Sequence, residues 1–125
     1  MTLHHLGQQS SAPISELDRI PWRSGDVVIN LDCTEFTSYC PVTGQPDFAR
    51  LHITYWPVDW LVETKSLKLW LQGFRDRAAF NEVLVAEIAT MFAEQIMPSA
   101  VRVTGVFHIR GGIAVTATAE RGEDV

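Results

Sequence analysis

An α+β domain, with a four-stranded antiparallel sheet and two helices on one of its faces, is predicted by three features of this 125-residue chain. Apolar residues alternate along Val27, Ile29, Leu31 and Cys33 and again along Leu51, Ile53 and Tyr55, the period of half-buried strands. Phe80, Leu84, Ile88, Met91 and Ile96 recur at helical spacing. A second alternating pair, Val101 to Ile109 and Ile113 to Ala119, flanks Gly111-Gly112 and reads as a hairpin. The order is therefore ββααββ, in which helices and sheet bury each other's apolar side.

Taken in order, residues 1 to about 24 are rich in Gln, Ser and Pro without a sustained period. They are expected to form an arm, ordered only where it docks, ahead of a single domain over residues 25–125. The fold is expected to start near Asp26, with the first strand from Val27 to Phe36. Pro41 to Asp47 holds Thr-Gly-Gln-Pro, which is turn chemistry, and the second strand follows. Ser66 is the expected N-cap of a helix whose buried face is Leu67, Leu71 and Phe74, although Leu67, Leu69 and Leu71 also suit a strand. The second helix ends before Pro98, which cannot continue it. An open sheet leaves two edges, so association by edge pairing is expected.

Composition narrows the function. A hydrophobic content of 46% supports one core at this length. The formal net charge of -5 disfavours a nucleic-acid groove or a membrane surface, both of which need clustered Lys and Arg. Neither an apolar run of about 20 residues nor a secretory leader is recognisable, which places the chain in the cytoplasm as an expectation. Cys33 and Cys40 are too few for a disulfide scaffold, and the four histidines have no zinc-ligand spacing around them.

Cys40 precedes Pro41 and a Gly/Pro turn, where a thiol on a fixed backbone can act as a nucleophile if its neighbours favour the thiolate. The alternative is a cysteine that fills space, and Cys33, within an apolar strand face, suits that description better. Asp47 lies across the turn and can move a proton at the same ligand, or simply cap the turn after Pro46. Glu63, Lys65 and Lys68 either grip phosphates or form a solvated helix start. Glu82 is either a first-turn carboxylate favoured by the helix dipole or an acceptor for a purine-like edge.

The stretch Phe36-Thr37-Ser38-Tyr39-Cys40-Pro41-Val42-Thr43-Gly44-Gln45-Pro46-Asp47-Phe48 is followed by Glu63-Thr64-Lys65-Ser66-Leu67-Lys68-Leu69-Trp70 and by Phe74-Arg75 and Arg110-Gly111-Gly112-Ile113. From about Asn30 to Gly122 the chain resembles the unimodular NADPH-dependent 7-cyano-7-deazaguanine (preQ0) reductases, the nitrile reductases of queuosine biosynthesis. The resemblance implies the tunnelling fold, with ββααββ subunits joined edge to edge in a ring, commonly a pentamer stacked as a decamer, and with sites between subunits. It also implies a small deazapurine substrate, no direct nucleic acid and no membrane partner.

By that resemblance Cys40 forms a covalent thioimide with the nitrile and Asp47 handles protons. Glu63, Ser66, Asn81 and Glu82 would bind the substrate, and Lys65, Lys68, Arg110 and Gly111 would bind NADPH, with Arg110 reaching in from a neighbouring subunit. The chain departs from the family at Asp76-Arg77-Ala78, where many members read Asn-His-Gly, and at Asn81, where they carry a histidine. Asparagine hydrogen-bonds but does not titrate near neutral pH. Leu84 stands where some relatives have a cysteine, so a disulfide to Cys40 is not expected. Two other readings remain open: a transferase resembling the archaeosine-forming relatives, and a deazapurine-binding module without turnover.

Overall fold

The computed structural model describes residues 16–123. In order, they form β1 (Arg19–Pro21), β2 (Ile29–Tyr39), β3 (Pro46–Trp56), β4 (Trp60–Val62), α1 (Thr64–Gln72), α2 (Asn81–Ile96), β5 (Ala100–Phe107) and β6 (Thr116–Gly122). The main sheet is antiparallel throughout, in the order β2-β3-β5-β6. This is the expected ββααββ arrangement, with β2 and β6 at its edges.

Strand alternation places Leu51, Ile53 and Tyr55 of β3 and Val101 and Val103 of β5 on one face, all buried. They share a single core with Leu67 and Trp70 of α1 and Leu84, Ile88 and Phe92 of α2. Tyr55 meets Phe92 edge-on at 5.0 Å between ring centroids, a favoured aromatic geometry. The other face is polar and held by cross-strand pairs, with Arg102 donating to Glu120 at 3.0 Å and Thr104 bonded to Thr118 at 3.0 Å. In β2 the inward positions are Ile29, Leu31 and Cys33, then Phe36 and Ser38, because a bulge shifts the register between Cys33 and Phe36.

Four expectations need correcting. First, β1 and β4 were not anticipated. They are three residues each and pair only with one another, so their existence depends on tertiary contact rather than local pattern. Second, the fold begins before Asp26, because Leu17 is buried and Asp18 is only 1% exposed. The Asp18 backbone accepts from the Glu63 N–H at 2.9 Å and donates to the Ser66 hydroxyl at 2.9 Å, which fastens this part of the arm to α1. The arm over residues 1–15 lies outside the described residues.

Third, Glu63 rather than Ser66 caps α1. Its Oε1 accepts from the Ser66 N–H at 2.8 Å and its Oε2 from the Lys65 N–H at 2.7 Å, so the helix starts nearly a turn earlier. Fourth, Phe80 is 57% exposed, because as the N-cap of α2 it lies off the helical track that buries Leu84 and Ile88. At the other end of α2, Met97 takes the left-handed conformation at φ 54° just before Pro98.

Candidate active site

Cys40 stands immediately after β2, where the chain turns back into β3. Its N–H donates to the Gln45 carbonyl and its own carbonyl accepts from the Gly44 N–H, each at 2.9 Å. Gly44 supplies the positive φ of 71° that closes the turn. The turn folds Thr43 back on Cys40. The Thr43 hydroxyl, then the Thr43 and Val42 backbone N–H groups, hydrogen-bond to Cys40 and hold its thiol below the ordinary range, against weaker opposition from desolvation and the charge of Asp47. Cys40 can therefore ionise more readily than a free thiol and still meet an incoming electrophile.

Asp47, near the start of β3, pairs across the ladder with Ser38 and is 7% exposed. Its charge acts on Cys40, so the structure brings the two expected catalytic residues together. A third group joins them. Arg110 sends Nε to Asp47 Oδ1 at 2.6 Å and Nη1 to Gln45 Oε1 at 2.9 Å, and its Nη2 donates to the Pro46 carbonyl. Arg110 is presented by a tight hairpin in which it and Ile113 exchange backbone hydrogen bonds of 3.0 Å. Gly111 and Gly112 at its tip take φ of 59° and 80°, as a two-residue turn of this hand requires. The hairpin is tied to β3 by the His108 N–H, which donates to the Phe48 carbonyl at 3.0 Å.

The segment leading into α2 is linked to the same loop by backbone. Tyr39, just before Cys40, donates to the Arg77 carbonyl at 3.0 Å and accepts from the Ala79 N–H at 3.2 Å. Arg77 is itself held to α2 by Glu87 at 2.5 Å. Glu82 is exposed in the first turn of α2, so its carboxylate is available to a ligand. Asn81 Oδ1 is buried and has no hydrogen-bond partner among the described residues, an acceptor that a ligand N–H or a water would satisfy.

The remaining expected residues lie along α1. Glu63 and Ser66 are buried, and their polar atoms are engaged in the helix cap and the contact with Asp18. Lys65 is half-buried, and Lys68 is exposed on the wall of a cleft of about 340 Å³ between α1 and β2. Arg75 also lines this cleft, as do Cys33 and Phe36. The α1 wall thus carries two cations with donors suited to phosphates, facing Asp32 and Glu35 on the β2 wall. The cleft does not include Cys40, Asp47, Asn81 or Glu82, so one subunit divides the expected site into two parts joined along β2. Burial, and secondarily the charge of Asp32, push the Cys33 thiol up.

Sequence reasoning missed Thr43 and Gln45. The signal for Thr43 was local, since a hydroxyl residue three positions after a cysteine and just before a glycine can fold back on it. Gln45 and Arg110 are far apart in the chain and carried no such signal.

A family model described as QueF-like protein matches residues 46–125. The NADPH-dependent 7-cyano-7-deazaguanine reductase of Bradyrhizobium sp. strain BTAi1 is 43% identical over 124 residues, covering 94% of this chain and 78% of the relative. The reductase of the same name from Parvibaculum lavamentivorans is 42% identical over 127 residues, covering 97% of this chain and 82% of the relative. Among solved structures, an archaeosine synthase QueF-Like in the apo form superposes with a TM-score of 0.72 at 22% identity, covering 78% of this chain and 96% of that one. At that identity the likeness speaks for the fold alone. Arrangement, matched residues and identity agree that the chain belongs to the QueF-like family, with NADPH-dependent 7-cyano-7-deazaguanine reductases among its relatives.

Proposed function

We propose that this chain reduces the nitrile of 7-cyano-7-deazaguanine to an aminomethyl group with NADPH, through a covalent thioimide on Cys40, in queuosine biosynthesis. The observation that carries the reading is the Cys40 turn, whose hydrogen bonds make the thiol easier to ionise beside Asp47. A nitrile is a poor hydride acceptor, and addition of sulfur turns it into a C=N group that accepts hydride more readily. In the first step the Cys40 thiol gives its proton to Asp47 and Sγ bonds to the nitrile carbon. One electron pair of the triple bond moves to nitrogen, which takes the proton back from Asp47.

NADPH, when bound, supplies one hydride to the thioimide carbon and, from a second molecule, one to the imine carbon. Between these additions the C–S bond breaks and Cys40 leaves as a thiolate, and two protons from solvent complete the sequence, one on the amine nitrogen after the second hydride and one on the sulfur. Lys68 and Arg75, which line the α1 cleft, would hold the cofactor phosphates there, with Lys65 one turn back on the same helix. Glu82 would accept from the ring N–H and exocyclic amine of the substrate, and Asn81 Oδ1 would take a further donor. Glu63 and Ser66 would act from the helix start.

The two half-sites are joined by assembly into a ring. β2 and β6 each have one partner strand among the described residues, and the α1 cleft opens along the β2 edge. Exposed Val42, Phe80, Val83 and Ile109 surround the Cys40 loop and the first turn of α2, where a second copy would bury them. A ring of this kind, working in the cytoplasm, supplies the cofactor residues of one subunit to the cysteine of the next.

The test follows NADPH absorbance and product mass with purified protein and 7-cyano-7-deazaguanine. Two NADPH consumed per aminomethyl product, reduced to background in Cys40→Ala, is the expected result. A fully active alanine variant would falsify the covalent route. Substrate binding without NADPH consumption would sink the reductase reading itself.

A further inference from the structure

The geometry points to Arg77 as a positioning residue that fixes where Cys40 stands relative to the first turn of α2, and this assignment rests on the covalent reading of Cys40. Arg77 lies between the two helices and meets three elements at once. Its N–H donates to the Phe74 carbonyl at 3.0 Å, closing the turn that leaves α1. Its carbonyl accepts from the Tyr39 N–H at 3.0 Å, one residue before the nucleophile. Its Nη2 donates to Glu87 Oε1 of α2 at 2.5 Å, a charge-assisted bond. Ala78 and Ala79 extend the contact, the first bridging Tyr39 in parallel and the second donating to the Tyr39 carbonyl at 3.2 Å.

α2 has reason to be tied from outside at this end. Phe80, its N-cap, makes no side-chain hydrogen bond to the first turn. Glu87 stands about 9 Å further along the helix axis than Asn81, at the rise of an α-helix, so the Arg77 side chain reaches past the turn that carries Asn81 and Glu82. The second oxygen of Glu87, Oε2, is buried without a partner among the described residues, so Arg77 is what compensates this carboxylate. The pair is partly exposed, at 45% and 30%, so its worth lies in placement rather than in stability. In the proposed reaction Asn81 and Glu82 grip the deazapurine while Cys40 must meet its nitrile carbon. These groups sit on different elements, and the segment from Arg77 to Ala79 is what sets their spacing.

The step to measure is adduct formation with 7-cyano-7-deazaguanine alone, at saturating concentration, by rapid mixing and intact-protein mass. In Arg77→Met, which keeps the apolar stem and loses the charge, the adduct should form about 10–100-fold more slowly, the scale expected when reacting groups are misaligned. Equilibrium binding of the same compound, read in a Cys40→Ala background where no adduct forms, should be little changed by Arg77→Met, because Asn81 and Glu82 remain. Alkylation of Cys40 by iodoacetamide needs no such alignment and should keep its rate, since the Thr43 turn is untouched. Glu87→Met should reproduce the slow adduct, and the two changes together should cost little more than either alone.

An unchanged adduct rate in Arg77→Met would overturn the inference and leave an inconsequential surface pair. Weaker binding with an unchanged saturated rate would overturn it too, making the segment part of the substrate's grip. A parallel loss of adduct formation and alkylation would reduce Arg77 to a structural support of the Cys40 turn. Absence of any adduct in the unmodified protein would remove the covalent reading and the inference with it, a failure told apart from the others because it precedes any substitution at Arg77.

Discussion

Cys33 and Cys40 share one strand-and-turn segment and one side-chain chemistry, yet the structure gives them opposite character. Cys33 sits partly buried on the inward face of β2, where burial and the nearby charge of Asp32 favour its neutral thiol. Cys40 sits one residue past the strand end, where a hydroxyl and two backbone N–H groups favour its thiolate. The difference comes from hydrogen-bond donors and water, not from the residue type. A strand interior commits its N–H groups to the ladder, whereas a tight turn leaves some free to converge on a side chain.

The largest expected consequence is selective alkylation. With a limiting amount of iodoacetamide at pH 7, peptide mapping should find essentially all label on Cys40, since the thiolate is the reacting species. Equal labelling of Cys33 would break the comparison at its root.

A smaller effect isolates the donor. Because Cys40 is held below the ordinary thiol range, its alkylation should stay fast as pH falls through that range and slow only at more acidic pH. Thr43→Val removes the principal hydrogen bond, so the thiolate loses support, the pKa moves back up, and the fast limb begins at higher pH. A pH profile identical to that of the unmodified protein would assign the effect to the backbone N–H groups of Val42 and Thr43 alone.

The smallest effect concerns the inert partner. Cys33→Ala should lower stability by about 1 kcal/mol, as expected for trimming a partly buried side chain, and should leave the Cys40 alkylation profile in place. Denaturant unfolding reads the first quantity. A displaced Cys40 profile would show that the two sites are coupled through β2.

Much of this contrast was legible in the sequence, and the part that was not has identifiable causes. The alternation of β2, β3, β5 and β6 and the track of Leu84, Ile88 and Ile96 in α2 follow from periodicity, because each element has one face on the core. The motif around Cys40 and Asp47 marked them before any geometry was known, and the structure places them within electrostatic reach. The cap of α1 was misassigned because serine is the stronger statistical cap, while the longer Glu63 side chain reaches two N–H groups at once. β1 and β4 depend on pairing across distant parts of the chain, and no local pattern encodes that. Arg110 met the same limit, since its partners lie on the far side of β3 in sequence.

The bulge between Cys33 and Phe36 bears on which changes in chain length this segment can absorb. Inward positions are odd-numbered before it and even-numbered after it, so the strand reaches the Cys40 turn with its alternation inverted. Removing one residue at Thr34 or Glu35 would take out the extra residue, so Cys33 and Phe36 would stand two apart like their partners Leu51 and Ala49, and Phe36 and Ser38 would stay on the core face. Removing one between Phe36 and Cys40 meets no such slack and would turn the nucleophile's loop toward the opposite side of the sheet. This segment can therefore absorb the loss of a residue at the bulge but not beyond it.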